Sequence, residues 1–272
     1  MVGDIAVIIP TFNRPALLKL AINSVINQTI PVKEILVCDD GSSYEIEELL
    51  MNFNDLRIKL IKFGRNGRPA IPRNLGIKSC TSEWISFLDD DDEWVPSKIE
   101  KQQSFLANSN IKMICSNAIR KNNKGLNSIY TSFTNSVITR KELIESNYIV
   151  CSSVLIHRDL LERAGYFPEE LSLKALEDYT LWLKISTFSN VLFLNEPLVI
   201  YNDNSEVSLR SESNSTWHQR NKIFHYLIEW CQLNCIDAGI LKLFIDEFEK
   251  SKRELKPGLF LKVWRWYKTF SF

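Results

Sequence analysis

Short apolar runs alternate with helix-like patterns along the first ninety residues of this 272-residue chain. Four runs rich in Ile, Val and Leu predict strands, over 5–9, 34–38, 57–62 and 84–88. The first two runs do not alternate with polar residues, which is typical of strands buried on both faces. Apolar positions from Leu17 to Ile26 recur every three to four residues and predict a helix that begins near Pro15. This alternation predicts an α/β fold around a mainly parallel sheet.

The rest of the chain has a less regular pattern. A helix is predicted after Pro96, with Ile99, Gln103 and Leu106 facing inward, and a second helix ends at Gly165. Further strands are predicted over 111–116, 152–157, 191–194 and 198–201, a loop or hairpin over 121–134, and an amphipathic helix over 177–188. Two helices are expected after Thr216, so we predict one α/β domain over 1–210 and a helical extension over 211–272.

Composition narrows the class of protein. Lys+Arg and Asp+Glu both number 33 and hydrophobic residues make up 45%, as in an ordinary globular protein without a nucleic-acid footprint. The six cysteines form no C-x-x-C, so buried reduced thiols are expected rather than a zinc site. No basic region precedes the first apolar run and no apolar stretch is long enough to span a bilayer, so a cytoplasmic location is expected.

Charge is uneven near the end of the chain. Between residues 250 and 272 there are seven cations and one anion, and aromatic residues are interspersed among the cations after Pro257. A basic and aromatic segment of this kind is typical of a membrane interface, with Trp and Tyr at headgroup depth. The alternative is a terminal helix packed on the domain with its basic face in water. We predict peripheral membrane contact through 256–272.

Acidic residues follow two of the predicted strands directly. Asp39 and Asp40 come after the second strand, and residues 89–92 are four consecutive aspartates after the fourth. The carboxyl ends of parallel strands form the ligand crevice of an open α/β sheet, so both clusters are expected at one edge. Adjacent carboxylates repel one another, and a bound cation relieves that cost; oxygen ligands favour Mg2+ or Mn2+. The alternative is a solvated acidic turn that caps the next helix.

Two further groups of charges have two interpretations each. Glu177 and Asp178 open the amphipathic helix, where they act either as simple helix-capping acids or as a general base. The basic residues of 65–73 lie between the two acidic clusters in sequence. They are either solvated, or they pair with those carboxylates or with a phosphate.

Five ordered segments resemble glycosyltransferase family 2, an inverting group with the GT-A fold. They are the first strand and turn (7–14), an Asp-Asp-Gly-Ser motif (38–42), an Arg-Asn-x-Gly helix (73–77), an Asp-x-Asp block (87–94), and an acceptor-side helix (152–165) followed by an acid pair (176–179). The resemblance covers about residues 4–208. It implies a GT-A sheet flanked by helices, with a nucleotide-binding half over about 1–95 and an acceptor half over about 96–210.

The resemblance also implies roles for individual residues. Asp178 would be the catalytic base with Glu177 as its neighbour, and Asp91 would ligate Mn2+ or Mg2+. The implied donor-binding residues are Pro10, Thr11, Asn13, Arg14, Asp40, Arg68 or Arg73, Asp89 and Asp90. The chain departs from the family at Tyr201-Asn202-Asp203-Asn204, where many relatives have Tyr-Arg-x-His, so Asn204 takes the place of a His.

The function implied by this resemblance is sugar transfer with inversion. The donor would be a nucleotide sugar, most often a UDP-sugar. The acceptor would be a saccharide or a lipid-diphosphate-linked sugar in bacterial polysaccharide assembly, at the inner face of the cell membrane and without nucleic acid. Two alternatives stay open. A nucleotidyltransferase usually carries a Gly-rich loop with a Lys, whereas the turn 10–14 has no Gly. A membrane-bound scaffold would keep the fold without activity.

Overall fold

A computed structural model describes residues 3–107, 110–122, 125–129, 136–202 and 216–255 of the chain. The chain divides into two compact units, Met1–Ser208 and Leu209–Phe272, which are described separately below.

The first part of the first unit contains four strands and three helices. They are β1 (Ile5–Thr11), α1 (Pro15–Ile26), β2 (Glu34–Asp39), α2 (Ile46–Met51), β3 (Ile58–Lys62), α3 (Ala70–Ser79) and β4 (Trp84–Phe87). All four strands predicted here are confirmed. Pro15 is the first residue of α1, where its missing N–H leaves no hydrogen bond unmade.

The rest of the first unit mixes short and long elements. They are β5 (Glu93–Trp94), α4 (Lys98–Leu106), β6 (Met113–Asn122), β7 (Gly125–Ser128), β8 (Val137–Ile138), α5 (Arg140–Glu145), a 3₁₀ turn (Cys151–Ser153), β9 (Leu155–His157), α6 (Arg158–Ala164), a second 3₁₀ turn (Leu171–Leu173), α7 (Glu177–Ile185) and β10 (Val191–Asn202). Gly165 ends α6 with φ 71°, as the sequence predicts.

One sheet joins the strands in the order β3-β2-β1-β4-β9-β6-β10-β5, with β7 on β6 and β8 on β10. The strands from β3 to β4 are mutually parallel, and β6 and β10 are also parallel. The short strand β9 runs antiparallel to both β4 and β6, which it separates. The predicted α/β class with a mixed sheet and flanking helices is therefore confirmed.

Both faces of β1 are buried. Val7 and Ile9 belong to an apolar cluster with Leu18 and Ile22 of α1. On the other face, a Cβ at Gly76 of α3 would lie 2.7 Å from Ile8 Cγ2, so only glycine lets this helix approach so closely. The predicted burial of most cysteines is confirmed, since five are buried: Cys38, Cys80, Cys115, Cys151 and Cys231.

Three local predictions are wrong. The strand expected over 152–157 begins only at Leu155, because the preceding residues form the 3₁₀ turn. The two strands expected over 191–201 are one strand, β10, whose register shifts on either side of Pro197. In α4 the buried amide is Gln102 rather than Gln103, because Gln102 bonds inward to Lys98 and to the backbone of Ser153.

The second unit, in its described part, is a pair of helices, α8 (Thr216–Leu233) and α9 (Ala238–Leu255). The rings of Phe224 and Phe244 lie 5.8 Å apart, and Arg220 pairs with Glu247, so the helices run antiparallel. No helix in the described ranges is long and apolar enough to cross a membrane. The segments 203–215, with Asn204, and 256–272, with the basic and aromatic residues, lie outside the described residues.

Candidate active site

The two acidic clusters meet at Thr11, the last residue of β1. The Asp40 amide donates to the Thr11 carbonyl oxygen at 2.9 Å, while the Thr11 hydroxyl donates to Asp90 Oδ2 at 2.8 Å. Thr11 is also the register partner of Asp39 on the neighbouring strand β2. The carboxyl ends of β1, β2 and β4 therefore bring acids from both clusters to one edge of the sheet.

Asp40 is a buried carboxylate held by the loop before α3. It accepts hydrogen bonds from the amides of Asn66 at 2.7 Å and Gly67 at 2.8 Å, and it pairs with Arg65. The Arg65 guanidinium lies over the Phe12 ring, 3.5 Å from its centroid. Sequence reasoning gave Arg65 no role of its own. The sequence marks Arg65 only as one of the basic residues that lie between the two acidic clusters.

The turn after β1 and the Asp-Asp-Gly-Ser turn are bonded to each other. Asn13 adopts φ 53°. Its side-chain oxygen accepts the backbone N–H of Ser43 at 2.8 Å, and its backbone N–H donates to Ser42 Oγ at 2.9 Å. Gly41 has φ 79°, and a Cβ there would lie 3.0 Å from the Arg65 amide nitrogen. The turn therefore requires glycine at this position.

Arg14 bridges two of the four consecutive acids. Its Nη1 donates to Asp90 Oδ1 at 3.0 Å and to Asp91 Oδ2 at 2.9 Å. Burial raises the pKa of Asp90 to about 6, because it outweighs the opposing effects of Arg14 and Thr11. Burial and then the charge of Asp89 raise the pKa of Asp91. Burial therefore disfavours the ionised form of both carboxylates more than Arg14 stabilises it.

Arg73 links the four consecutive aspartates 89–92, called the acidic block below, to the acids of α7. This buried guanidinium donates to Asp89 Oδ1 at 2.5 Å and to Glu177 Oε1 at 2.9 Å. Glu177 Oε2 is buried and has no hydrogen-bond partner among the described residues. Asp178, the next residue, is partly exposed, and its Oδ1 accepts the amide of Tyr179 at 2.7 Å. The acid pair of α7 therefore lies next to the Asp89 end of the block.

For three sequence-predicted residues, Pro10, Asn13 and Arg68, no side-chain contact with the acids is observed within the described part. Arg68 donates to the Glu169 carbonyl oxygen at 2.7 Å, in the segment after α6. Asn74, within α3, donates to Glu169 Oε1 at 2.8 Å. Pro10 is a half-buried position of β1, in register with Cys38. Their predicted part in donor binding stays a prediction.

Asp92 and Ser152 form a buried pair that sequence reasoning did not single out. The Ser152 hydroxyl donates to Asp92 Oδ2 at 2.5 Å, and the Asn202 amide donates to Oδ1 at 3.0 Å. Burial raises the pKa of Asp92 well above its usual range, and the charge of Asp89 adds to the effect. Asp92 was visible as a member of the acidic run, whereas nothing in the sequence distinguishes Ser152 from other serines.

The acidic block suits a divalent cation that is held jointly with a ligand. Asp89 and Asp91 each pair with a guanidinium through one oxygen, and their side chains are 30% and 23% exposed. No cluster of three or more His, Cys, Asp or Glu side chains placed for a metal occurs in the described ranges. Mg2+ typically takes one or two carboxylates together with substrate phosphates, and Mn2+ also prefers oxygen ligands. These residues therefore fit such an ion without forming a complete cage.

Comparison with known proteins gives sequence relatives over most of the first unit. The family model described as "Glycosyl transferase family 2" matches residues 6–165. The Escherichia coli protein named UDP-Glc:alpha-D-GlcNAc-diphosphoundecaprenol beta-1,3-glucosyltransferase WfgD is 34% identical over 70% of this chain and 73% of its own length. An uncharacterized glycosyltransferase of Rickettsia conorii, RC0461, is 35% identical, and this chain spans 31% of that relative's length.

Solved structures share the fold at lower identity. The crystal structure of S. aureus TarS 1-349 in complex with UDP-GlcNAc superposes with a TM-score of 0.73 at 19% identity, over 91% of this chain and 72% of that chain. The complex of the same protein with UDP gives 0.69 at 21% identity, over 90% of this chain and 70% of that one. These similarities confirm the predicted GT-A type of fold.

Proposed function

Because the chain belongs to glycosyl transferase family 2, we propose that it transfers a sugar from a UDP-sugar to a hydroxyl of a lipid-diphosphate-linked saccharide, with inversion at the anomeric carbon. One observation carries this proposal. Acids from three distant parts of the chain are tied together at one sheet edge, Asp40 and Asp90 through Thr11, and Asp89 and Glu177 through Arg73. Donor recognition, diphosphate stabilisation and base catalysis each need one of these groups.

The choice of donor and acceptor rests on the relatives. WfgD and a second Escherichia coli relative, WfaP, 28% identical over 66% of this chain, are named for UDP-Glc as donor and a GlcNAc-diphosphoundecaprenol as acceptor. TarS was solved with UDP and with UDP-GlcNAc. Asp40, as an acceptor of hydrogen bonds only, is compatible with the N–H of a uracil ring. A nucleotidyltransferase has no support in the family match.

The proposed reaction needs one proton transfer by the protein. Asp178 accepts the proton of the acceptor hydroxyl as its oxygen attacks the anomeric carbon, and the bond to the diphosphate oxygen breaks on the opposite face. No covalent intermediate with the protein forms, so an α-linked donor gives a β-linked product. Glu177, fixed by Arg73 at 2.9 Å, holds the first turn of α7 and with it Asp178 at the acidic block.

A divalent cation completes the proposed site. Asp91 would hold Mn2+ or Mg2+ with help from Asp89, and the ion would neutralise the charge that grows on the departing diphosphate. Arg14 and Arg73 already neutralise part of these carboxylates. They therefore keep the acidic block from repelling the diphosphate of the approaching donor.

We place the protein at the inner face of the cell membrane, where a lipid-diphosphate acceptor would be found. The support is the sequence of 256–272, in which cations alternate with Trp and Tyr. Flotation with vesicles that contain anionic lipid is expected to carry the full chain and to leave a chain truncated after Lys256 at the bottom. Equal flotation of both would contradict this placement.

The first test of the function is Asp178→Asn with a UDP-sugar panel and a GlcNAc-diphospholipid acceptor. Turnover should fall by about 10³-fold or more, while binding of UDP with Mn2+ stays within a factor of about two, because the base acts only on the acceptor proton. Transfer is followed by the radiolabel that enters the lipid fraction. Substantial activity of the variant would exclude Asp178 as the base. No transfer by the wild type with any UDP-sugar would favour the inactive scaffold.

The second test concerns the metal. Thermal shifts with UDP are measured with Mn2+ and with EDTA for the wild type and for Asp91→Ala. The wild type should be stabilised by UDP only when Mn2+ is present, and the variant should lose this stabilisation. A variant that responds to UDP and Mn2+ as the wild type does would remove Asp91 from the metal site.

A further inference from the structure

The four consecutive acids form a turn that closes on itself. The Asp92 amide donates to the Asp89 carbonyl oxygen at 3.0 Å, so the first and last acids of the block are adjacent. Ser152, which is sixty residues further along the chain, contacts both of them. Its hydroxyl donates to Asp92 Oδ2 at 2.5 Å and accepts the Asp89 amide at 3.1 Å.

The two hydrogen bonds use different parts of the Ser152 hydroxyl group. An amide can only donate, so the Asp89 N–H occupies a lone pair of the Ser152 oxygen, and the single hydroxyl proton is left for Asp92. The second oxygen of Asp92 accepts the amide of Asn202, at the end of β10. Asp92 is 1% exposed and both its oxygens are engaged, so it serves as an anchor of the turn and not as a ligand.

Ser152 itself is held from the opposite side. The Trp94 indole N–H donates to the Ser152 carbonyl oxygen at 2.8 Å, and the Gln102 amide donates to the next carbonyl, that of Ser153, at 2.7 Å. The buried Lys98 donates to Gln102 Oε1 at 2.9 Å and lies 3.9 Å from the centroid of the Trp94 ring. The 3₁₀ turn is therefore a rigid support, because packed side chains fix the carbonyl oxygens of Ser152 and Ser153.

We propose that Ser152 is a positioning residue that holds the Asp89–Asp92 turn closed and so sets the affinity of its exposed acids for a divalent cation and the donor diphosphate. The effect on cation and donor affinity, the second half of this inference, rests on the proposed function. Closure of the turn, the first half, does not. Groups that orient metal-binding carboxylates from behind are worth about tenfold to a hundredfold in affinity. Ser152 makes no contact with the reacting atoms in this scheme and acts only through Asp89 and Asp92.

Ser152→Ala and its neighbour Ser153→Ala form a matched pair. Ser153 is equally buried in the same 3₁₀ turn, but within the described ranges its hydroxyl bonds to the Val150 carbonyl oxygen, at 2.7 Å, and not to the aspartates. Hydrogen exchange of the free protein, read on a peptide that covers residues 88–95, tests closure of the turn. Exchange should be about tenfold faster in Ser152→Ala and unchanged in Ser153→Ala. Equal exchange in both variants would overturn the proposal.

Binding of UDP at several Mn2+ concentrations tests the consequence. Ser152→Ala should need about tenfold more Mn2+ for half-maximal UDP binding, with KM for the donor rising more than kcat falls, and Ser153→Ala should match the wild type. Adding Asp92→Asn to Ser152→Ala should cause no further loss, because both changes open the same turn. Wild-type Mn2+ dependence in Ser152→Ala, or an equal loss in Ser153→Ala, would refute a positioning role.

A second variant and the exchange experiment distinguish a folding defect, failure of the proposed function and failure of the inference about Ser152. If Ser152→Ala does not fold, Ser152→Cys keeps the volume with a weaker donor and should show the same changes in exchange and Mn2+ dependence to a smaller degree. If the wild type binds no UDP with Mn2+, the proposed function fails and the second half of the inference fails with it. The exchange experiment still decides whether Ser152 closes the turn.

Discussion

Two buried carboxylates, one at the amino ends and one at the carboxyl ends of the parallel strands, have pKa values shifted in opposite directions. Glu34 begins β2 and Asp90 follows the end of β4. Burial opposes ionisation of both. At Glu34 the hydrogen bonds from Lys59, Ser82 and Thr81 overcome burial and lower the pKa to about 2. At Asp90 burial prevails over the effect of Arg14, and the pKa rises to about 6.

The difference lies in the number of donors that each end supplies. Glu34 Oε1 accepts the amides and hydroxyls of both Thr81 and Ser82, at 2.7–3.0 Å, and Oε2 accepts Lys59 at 2.8 Å. Among the described residues, the Asp90 carboxylate accepts hydrogen bonds from Thr11 and from the Arg14 guanidinium, which it shares with Asp91. A fully bonded carboxylate stabilises the fold, whereas an incompletely bonded one is less stable until a ligand supplies positive charge. We infer that the amino end of this sheet serves stability and that the carboxyl end serves the proposed binding of the donor.

The largest expected effect comes from removing the buried cation of the binding end. Arg73→Ala leaves Asp89 and Glu177 unpaired, and breaking a buried pair from one side costs about 3–5 kcal/mol. Urea unfolding should show this loss of stability. Arg68→Ala, from the segment just before α3, removes only a hydrogen bond to the Glu169 carbonyl oxygen and should cost less than about 1 kcal/mol. Equal losses would mean that the binding end contributes no special electrostatic stability.

The amino end should respond next. Glu34→Gln keeps the shape but removes the charge that these donors stabilise, and we expect a loss of about 1–3 kcal/mol at pH 7. The native pKa of Glu34 is lowered from 4.5 to about 2, so its contribution is complete above pH 4.5 and disappears as the pH falls toward 2. The difference between wild type and variant, from urea unfolding, should shrink accordingly. Glu47→Gln, which breaks the exposed pair with Lys62, should leave the stability nearly unchanged.

Asp90→Asn should give the smallest change and one of the opposite sign. Its native pKa of about 6 lies above the ordinary 3.8, so ionisation costs stability as the pH rises through this interval, and the cost is complete above pH 6. In EDTA at pH 7.5 the variant should be more stable by about 1–2 kcal/mol, with an advantage that fades toward pH 4. It should also bind UDP more weakly. A variant less stable than the wild type at pH 7.5 would end the comparison between the two sheet ends.

The sequence predicts the parallel half of this fold well because its strands are short runs rich in apolar residues, and those of β1 and β2 are almost uninterrupted. The runs at β1 and β2 are buried on both faces, and acids follow β2 and β4 directly, so the sheet edge that carries the site could be located. The convergence of the two acidic clusters on Thr11 follows from the same rule about strand ends. Local pattern is sufficient here because each acidic cluster follows its own strand in the sequence, whichever strand lies next to it in the sheet.

Long-range partners could not be predicted in the same way. Which arginine contacts which acid depends on side-chain direction, and here Arg65 pairs with Asp40 while Arg68 turns to Glu169. Both lie in one basic run that has no distinguishing pattern. Ser152 was included in a predicted strand, because the apolar residues that follow it extend the strand pattern. The turn became recognisable only through the hydrogen bonds that it makes with distant residues.

The orientation of β9 has a consequence for where function can arise in such a sheet. An antiparallel strand placed among parallel ones presents its beginning, not its end, to the edge at which its neighbours finish. The peptide that leads into β9 thus reaches the same rim as the peptides that leave β1, β2 and β4. Because the three-residue strand β9 is reversed, the residues that precede it lie beside the residues that follow β1, β2 and β4. A fourth segment of the chain thus contributes to the proposed site.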